Sequence, residues 1–506
     1  MLLKKFRIII SLIIISLLTF YFIDFAGLLP KGFNILAKIQ LIPAILAVNI
    51  IVVVSIFIIT LLFGRIYCSS VCPMGTFQDI VNRISGRTLK KRKKFKYKKP
   101  KNILRFSILG IIIITFALGF SVLLGLLDPY SSYGRMAVYL IKPIYQTGNN
   151  LLESFFSSFE NYTFYRVEII ILSLSSFIIA VLTFLVIVIM AWKDGRIYCN
   201  TICPVGTLLG SISRFSLFRI NINNNKCNNC NICSTKCKAS CINIKDKKID
   251  HSRCINCFNC LDSCKQDALS FSFNRTSKNK NTEPVSPGRR QFLLSLFASP
   301  VIAANLFIEK KQTFFTGKNQ IRSTPISPPG SISADHLLHH CTSCHLCISK
   351  CPTTVLKPAF FEYGVGGMMQ PVMFFEKGFC NYDCTLCSDV CPNNALKRLT
   401  VEEKHKTQVG YVVFKEDLCI VHTEGTNCGA CAEHCPTQAV TMIPYKDGLT
   451  IPYIETDICV GCGGCEFICP VRPKRAISVE GNIVHKETKI IIEEKLEDIK
   501  ITDFGF

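Results

Sequence analysis

The spacing of cysteine constrains this chain more than any other feature. Four cysteines recur six times in C-x2-C-x2-C-x3-C runs or stretched versions of them. The regular runs are Cys227, Cys230, Cys233 and Cys237, then Cys254, Cys257, Cys260 and Cys264, then Cys341, Cys344, Cys347 and Cys351, and last Cys459, Cys462, Cys465 and Cys469. Two runs are stretched: Cys380, Cys384, Cys387 and Cys391 open with three intervening residues, and Cys419 stands well before Cys428, Cys431 and Cys435. Disulfide scaffolds belong to short secreted domains with irregular spacing, so tight repeated runs point to thiolate ligation of iron-sulfur clusters. A structural zinc site takes four thiolates from paired knuckles, whereas the first two runs in tandem supply eight. Cys341-Thr-Ser-Cys344-His345 also fits a c-type haem attachment site, but haem there would strand Cys347 and Cys351.

The first two runs form the bacterial two-cluster pattern, in which the fourth cysteine of each run serves the other cluster. Cys227, Cys230 and Cys233 are therefore expected with Cys264, and Cys254, Cys257 and Cys260 with Cys237. The pairing among the last four runs stays open. Of the 29 cysteines, 24 fill six 4Fe-4S clusters and four lie in a separate repeat. Only Cys241 remains, and it reads as a packing residue.

Part of the chain must sit in lipid. Charged residues make up 18% against roughly 25% in ordinary soluble proteins, and the mean hydropathy is +0.33. Residues 6–29, 41–63, 106–127 and 169–192 are each long and apolar enough for a transmembrane helix, which needs about 20 residues. The net charge of +23 does not imply nucleic acid, because a short loop, KKRKKFKYKKPK at 90–101, concentrates the basic residues beside an apolar span. With Lys4, Lys5 and Arg7 it reads as a cytoplasmic topology signal.

An internal repeat ties the spans together: GRIYCSSVCPMGT at 64–76 returns as GRIYCNTICPVGT at 195–207. Two spans separate the copies, so both emerge on one, cytoplasmic, face. Cys68 and Cys72, and Cys199 and Cys203, are four apart, which on a continuing helix puts each pair on one face. The following Pro and Gly are expected to end that helix. Together the four thiols are expected to make a shared redox site at the cytoplasmic mouth of the bundle, holding an additional iron-sulfur cluster or acting as a redox-active thiol pair, the plain alternative being buried structural cysteines. All nine histidines lie at or beyond His251, so no span offers ligands for a b-type haem. Asp24 and Asp128, near the outer ends of the first and third spans, are candidate catalytic groups because carboxylates in lipid are functional by default; interfacial carboxylates reaching water are the bland reading.

The expected organisation is a four-helix transmembrane domain at 1–215 and a cytoplasmic two-cluster ferredoxin domain at 216–275. A segment at 276–335 follows, with Arg289-Arg290, an apolar anchor that would be a fifth span, and an SPPGSIS linker. A four-cluster domain at 336–490 and a tail at 491–506 complete the chain. The fold class is thus a membrane α-helical bundle joined to α+β bacterial ferredoxin-like domains.

With these motifs in view, residues 1–270 resemble the NapH-type membrane quinol dehydrogenases, with four spans, two CxxxCP motifs and two cluster runs. From Arg289 onward the chain resembles NapG-type proteins, with a twin-arginine signal, a PPG linker at Pro328-Pro329-Gly330 and four cluster motifs. It departs from those patterns in lacking Pro after Cys237 and Cys264, in its stretched motif, and in carrying the twin-arginine sequence internally. The resemblance implies a fusion in the bacterial inner membrane that oxidises menaquinol or ubiquinol from the quinone pool. Its electrons would pass to a periplasmic reductase, of the nitrate reductase kind, or to a cytochrome acceptor, with the last domain periplasmic. The alternative is a redox accessory factor in maturation of a copper oxidase or nitrous oxide reductase. A low-potential ferredoxin-driven reductase is a third reading, against which no flavin motif is evident. A periplasmic last domain leaves about 30 Å of hydrocarbon with neither haem nor mid-span ligands visible in the sequence. Quinol oxidation near Asp24 and Asp128, feeding the last domain directly, would avoid that gap.

Overall fold

The computed structural model describes residues 2–88, 95–170, 173–273 and 322–489. Residues 90–94 of the basic loop, the twin-arginine sequence with its apolar anchor, and the tail lie outside the described residues.

Four apolar helices build the bundle: α1 (Leu2–Ile23), α2 (Ile50–Phe63), α5 (Asn102–Ala117) and α9 (Leu174–Asp194). Among the described residues α1 and α9 are long and apolar enough to cross a membrane, while α2 and α5 are shorter. The apolar stretches at 41–63 and 106–127 are not continuous helices. In the first, Val48 adopts φ 53° and Asn49 caps α2 by accepting from the Val52 N–H. In the second, Gly119 at φ 88° breaks the chain before α6 (Val122–Leu127). Side chains such as Ile51, Ile113 and Leu182 face outward, exposed.

The duplicated motif does not continue its helices. Gly64 (φ 71°) ends α2, the five-residue α3 (Ile66–Ser70) turns back, and Pro73 opens α4 (Pro73–Thr88). Gly195 (φ 69°), α10 (Ile197–Thr201) and Pro204, at the start of α11 (Pro204–Ser213), repeat the design. The expectation that Pro ends a helix is corrected: each Pro begins one, where its missing N–H goes unused and its φ is already helical. Cys72 and Cys203 lie beyond the short helices, at the tips of two elbows. A third elbow comes from the opposite direction. It is formed by α6 and α7 (Pro129–Met136), which meet at Asp128, and a π-helical turn at Ala137–Ile141 leads on to α8 (Lys142–Ser157).

A small unit follows in which β1 (Phe218–Ile222) pairs antiparallel with β4 (Leu269–Phe273), and β2 (Ile242–Asn243) with β3 (Lys248–Ile249). The second unit holds three antiparallel pairs: β5 (Leu356–Pro358) with β6 (Pro371–Met373), β7 (Thr407–Phe414) with β10 (Ile477–Glu487), and β8 (Val440–Pro444) with β9 (Thr450–Ile454). Strands begin at the ends of CPTQAV and CPVRPKRAI, whereas CPNNAL forms a bend with no strand directly after it.

The two units sit at opposite ends of the bundle. At the start of α1, Lys4 Nζ meets Asp262 of the first unit at 2.9 Å. At its end, the Phe22 carbonyl accepts from Ser349 Oγ of the second unit at 2.6 Å. From Lys4 to Phe22 the helix separates these contacts by about 27 Å at 1.5 Å per residue. The other helices agree, since the start of α5 contacts Ser252 through Arg105, and Gly119 beyond its end lies against His339.

Candidate iron-sulfur sites

The regular runs share a backbone device. Asn229 and Asn231, Asn256 and Phe258, Ser343 and His345, and Gly461 and Gly463 all take positive φ at the same two places in their runs. A left-handed residue between right-handed ones turns successive N–H groups toward one concavity, where a negative group is favoured. Ser240, Asp267, Thr354, Asn394 and Gln438 repeat the twist three residues after a closing cysteine.

Tertiary structure then sorts the 24 cysteines into six sets. One pocket is lined by Cys254, Cys257, Cys260 and Cys237, with Cys241 beside them. Cys233 lies within electrostatic reach of Cys227, Cys230 and Cys264. Both sets are those expected from the two-cluster pattern. In the second unit Cys341, Cys344 and Cys347 gather with Cys391. Cys380, Cys384 and Cys387 line one pocket with Cys351. Another pocket joins Cys419, Cys428 and Cys431 to Cys469, and Cys459, Cys462 and Cys465 gather with Cys435. The exchange of closing cysteines therefore holds in all three pairs of runs, a pairing that spacing left open for the last four. The haem reading of Cys341 to His345 fails here, because His345 Nε2 donates to the Met369 carbonyl at 2.9 Å and Cys341 and Cys344 belong to a four-thiol set.

Neighbouring sets touch. The Cys380 N–H donates to the Cys462 carbonyl at 2.9 Å, which links the middle sets of the second unit. Cys347 lies near Cys387, and Cys465 near Cys431, which extends the row to four. Sets of four thiols and no other ligand type fit iron-sulfur clusters, and such clusters, when bound, supply one-electron transfer.

The four repeat cysteines also come together, inside the bundle. Cys68, Cys72, Cys199 and Cys203 are each 3% exposed and share one packed core, and Cys203 lies within electrostatic reach of the other three. Two arginines cross between the repeats. Arg65 Nη2 donates to the Cys199 carbonyl at 3.0 Å and lies 3.8 Å from Cys68 Sγ. Arg196 Nη1 donates to the Cys68 carbonyl at 2.8 Å and lies 3.9 Å from Cys199 Sγ. The glycine of each CPxG makes this approach feasible, since a Cβ on Gly75 would run into Cys68 O and Arg196, and one on Gly206 into Cys199 O and Arg65. Thus the Arg, the first Cys and the second Gly shared by the two copies of the block take part in a reciprocal clamp. Arg65 and Arg196 stood in that repeat all along; a charge repeated at the foot of an apolar span was the signal that could have singled them out.

The surroundings of the clamp differ on its two sides. Asp79 Oδ1 pairs with Arg196 Nε at 2.8 Å and Lys238 at 3.2 Å, while Arg7 approaches Oδ2 at 3.3 Å. Among the described residues Arg65, fully buried, has neutral oxygens beside the thiols: Asn200 Oδ1, Ser252 O and Cys199 O. Asp24 accepts from the Leu28 and Leu29 N–H groups and pairs with Lys350 at 3.0 Å. Asp128 caps α7 by accepting from Ser131 N at 2.9 Å and Oγ at 2.7 Å. Both carboxylates thus hold structure together at the end of the bundle that receives the second unit. Ser131 Oγ also lies 2.8 Å from Thr342 Oγ1, and Arg135 Nη1 donates to Ser343 O at 3.0 Å.

Comparison with known proteins agrees with the thiol sets. A 4Fe-4S binding domain matches residues 45–92 and 176–223, one elbow in each copy, and 4Fe-4S dicluster domains match 250–355 and 426–472. The match at 250–355 joins two runs that the structure assigns to separate units. The ferredoxin-type protein NapF of Escherichia coli is 28% identical over 161 residues, covering 32% of this chain and 90% of NapF. The methylamine utilization ferredoxin-type protein MauM of Methylobacillus flagellatus is 25% identical over 205 residues, 38% of this chain and 84% of MauM. The ferredoxin-type protein NapG of Escherichia coli is 27% identical over 157 residues, 28% of this chain and 65% of NapG. No solved structure matches. The chain is an iron-sulfur electron-transfer protein with ferredoxin-type 4Fe-4S domains, homologous to NapF, NapG and MauM.

Proposed function

We propose that this chain is a quinol-oxidising electron relay of the bacterial inner membrane, a fusion of a NapH-type membrane part with a NapG-type four-cluster ferredoxin. In this reading α1, α2, α5 and α9 are the four spans, and the six thiol sets hold six 4Fe-4S clusters. The first unit lies in the cytoplasm and the second in the periplasm, where it supplies a reductase or cytochrome. The outward-facing apolar side chains and the approximately 27 Å between the contacts of the two units, measured along α1 at 1.5 Å per residue, support a bundle that spans lipid. Export by the twin-arginine route suits a unit whose clusters must be built before it crosses.

The observation that carries the reading is the seat of the second unit. Its Cys341 to His345 loop rests on the end of the apolar bundle, with Gly134 of α7 packed under the Cys344 carbonyl and Arg135 gripping the next turn. A quinol arriving through lipid at that end meets the first of a row of four thiol sets. Anaerobic titration with menaquinol tests this: electron paramagnetic resonance should show reduction of the second unit's clusters in the full-length protein. Protein whose six thiol sets are all loaded, at about four irons each, and that stays oxidised would overturn it.

A further inference from the structure

We propose that Cys68, Cys72, Cys199 and Cys203 hold a seventh iron-sulfur cluster inside the bundle, and that this site conducts electrons between the units at its two ends. The proposal rests on the membrane reading above but needs no quinol.

Charge is the first argument. Arg65 is fully buried, and its partners among the described residues are neutral oxygens and the Cys68 sulfur. A guanidinium without a counter-charge in such a place costs several kcal/mol. Four neutral thiols, or two disulfides, would leave that cost standing. Four thiolates around an iron-sulfur core carry net negative charge, and Arg65 and Arg196 then flank an anion. Ligand count is the second argument, since each elbow supplies two thiols and only the closed clamp supplies the four that a cluster takes.

Position is the third. Toward the first unit, Arg196 N–H donates to the Lys238 carbonyl at 3.0 Å, one residue from Cys237. Asn200 Nδ2 donates to Ala239 O at 3.3 Å, and Arg65 Nη1 to Ser252 O at 3.1 Å, two residues from Cys254. Toward the second unit, Tyr198, which precedes Cys199, donates through its hydroxyl to the Leu127 carbonyl at 3.0 Å. Leu127 adjoins Asp128, and Asp128, Ser131 and Thr342 connect to the Cys341 and Cys344 loop. The elbows from the two sides therefore touch in the interior. The mid-span ligands that the sequence did not reveal are the repeat cysteines themselves, carried inward from the cytoplasmic side by α3 and α10.

In the transfer, a low-potential one-electron carrier at the first unit is oxidised and a one-electron acceptor at the second is reduced. One electron crosses per event, and a counter-ion balances its charge.

The full chain in quinone-free liposomes tests this, with dithionite outside and ferricyanide trapped within. Ferricyanide should be reduced faster than in protein-free liposomes, and Cys68→Ser with Cys199→Ser should return the rate to that background. In the same variant, iron should fall from about seven clusters' worth to six, at four irons each. Undiminished spin intensity from the other six confirms that the variant is folded. Arg65→Gln keeps all four thiols and should shift the midpoint potential of the additional signal downward, because a cation that favours the reduced form is gone. Transfer that survives in the double variant, six clusters' worth of iron in the wild type, or no transfer by loaded protein would each overturn the proposal. If menaquinol reduces the clusters but liposomes do not conduct, the conduit fails alone; conduction without menaquinol reduction overturns quinol oxidation alone.

Discussion

Asp79 shows how much one carboxylate can carry. It answers Arg196, Arg7 and Lys238 at once, and the two arginines are almost wholly buried. Asp79→Asn should therefore destabilise the protein by about 3–5 kcal/mol, the cost of leaving buried charge unpaired, read as a fall in thermal midpoint in detergent. Removing Lys98, whose pair with Asp194 is half exposed, should cost less than about 1 kcal/mol. His485 carries a different liability. It is partly buried beside Ser327, whose Oγ lies 2.8 Å from Nε2, and desolvation holds its pKa down to about 4. The unfolded chain binds a proton there near pH 6.5 while the folded one refuses it. Stability is thus full above pH 6.5 and should fall by about 3 kcal/mol as pH drops to 4. His485→Gln should flatten chemical-denaturation stability over that window; an unchanged slope would mean another group governs it.

At the scale of elements, the elbows depend on missing side chains. Gly75→Ala or Gly206→Ala would drive a methyl into a cysteine carbonyl and the crossing arginine, and should lower thermal stability and iron content. Gly86→Ala in the same helix as Gly75 meets nothing within 4 Å and should be neutral or stabilising by about 0.5–1 kcal/mol. The contrast separates crowding from helix propensity. The cysteine runs were legible in sequence because their spacing is local and each loop wraps its own ligands. The elbows were not, because C-x3-C has the period of a continuing helix, and nothing nearby says that Tyr67 to Ser70 turns inward. The exchange of closing cysteines in the second unit was hidden for another reason: Cys351 and Cys391, or Cys435 and Cys469, are brought to their partner runs by tertiary packing. Asp24 and Asp128 read as catalytic from their place in apolar sequence, and their hydrogen bonds to Lys350, Leu28, Leu29 and Ser131 give them structural work.

Across the whole molecule, the second unit is held to the bundle by apolar packing of Leu346 and Val390 in one core with Phe22 and Tyr139, and by buried polar contacts. Lys350 reaches Asp24, which is 1% exposed, and Lys142 donates to the Ser349 carbonyl at 2.6 Å. Lys350→Ala should strand the Asp24 charge and loosen the seat, seen as faster hydrogen exchange at 22–29 and 341–350 with the β7–β10 pair unchanged. Equal protection in both proteins would show that apolar packing alone holds the unit. The reciprocal clamp has a last consequence, for biogenesis. A nascent chain that has delivered only its first elbow holds Asp79 without Arg196 and the Cys68 carbonyl without its donor. The first half must wait, incomplete, until the ribosome has supplied the second. A chain stopped before Gly195 should therefore be cleared by membrane proteases far faster than the full chain in pulse-chase labelling, so that the duplication acts as a checkpoint on its own synthesis.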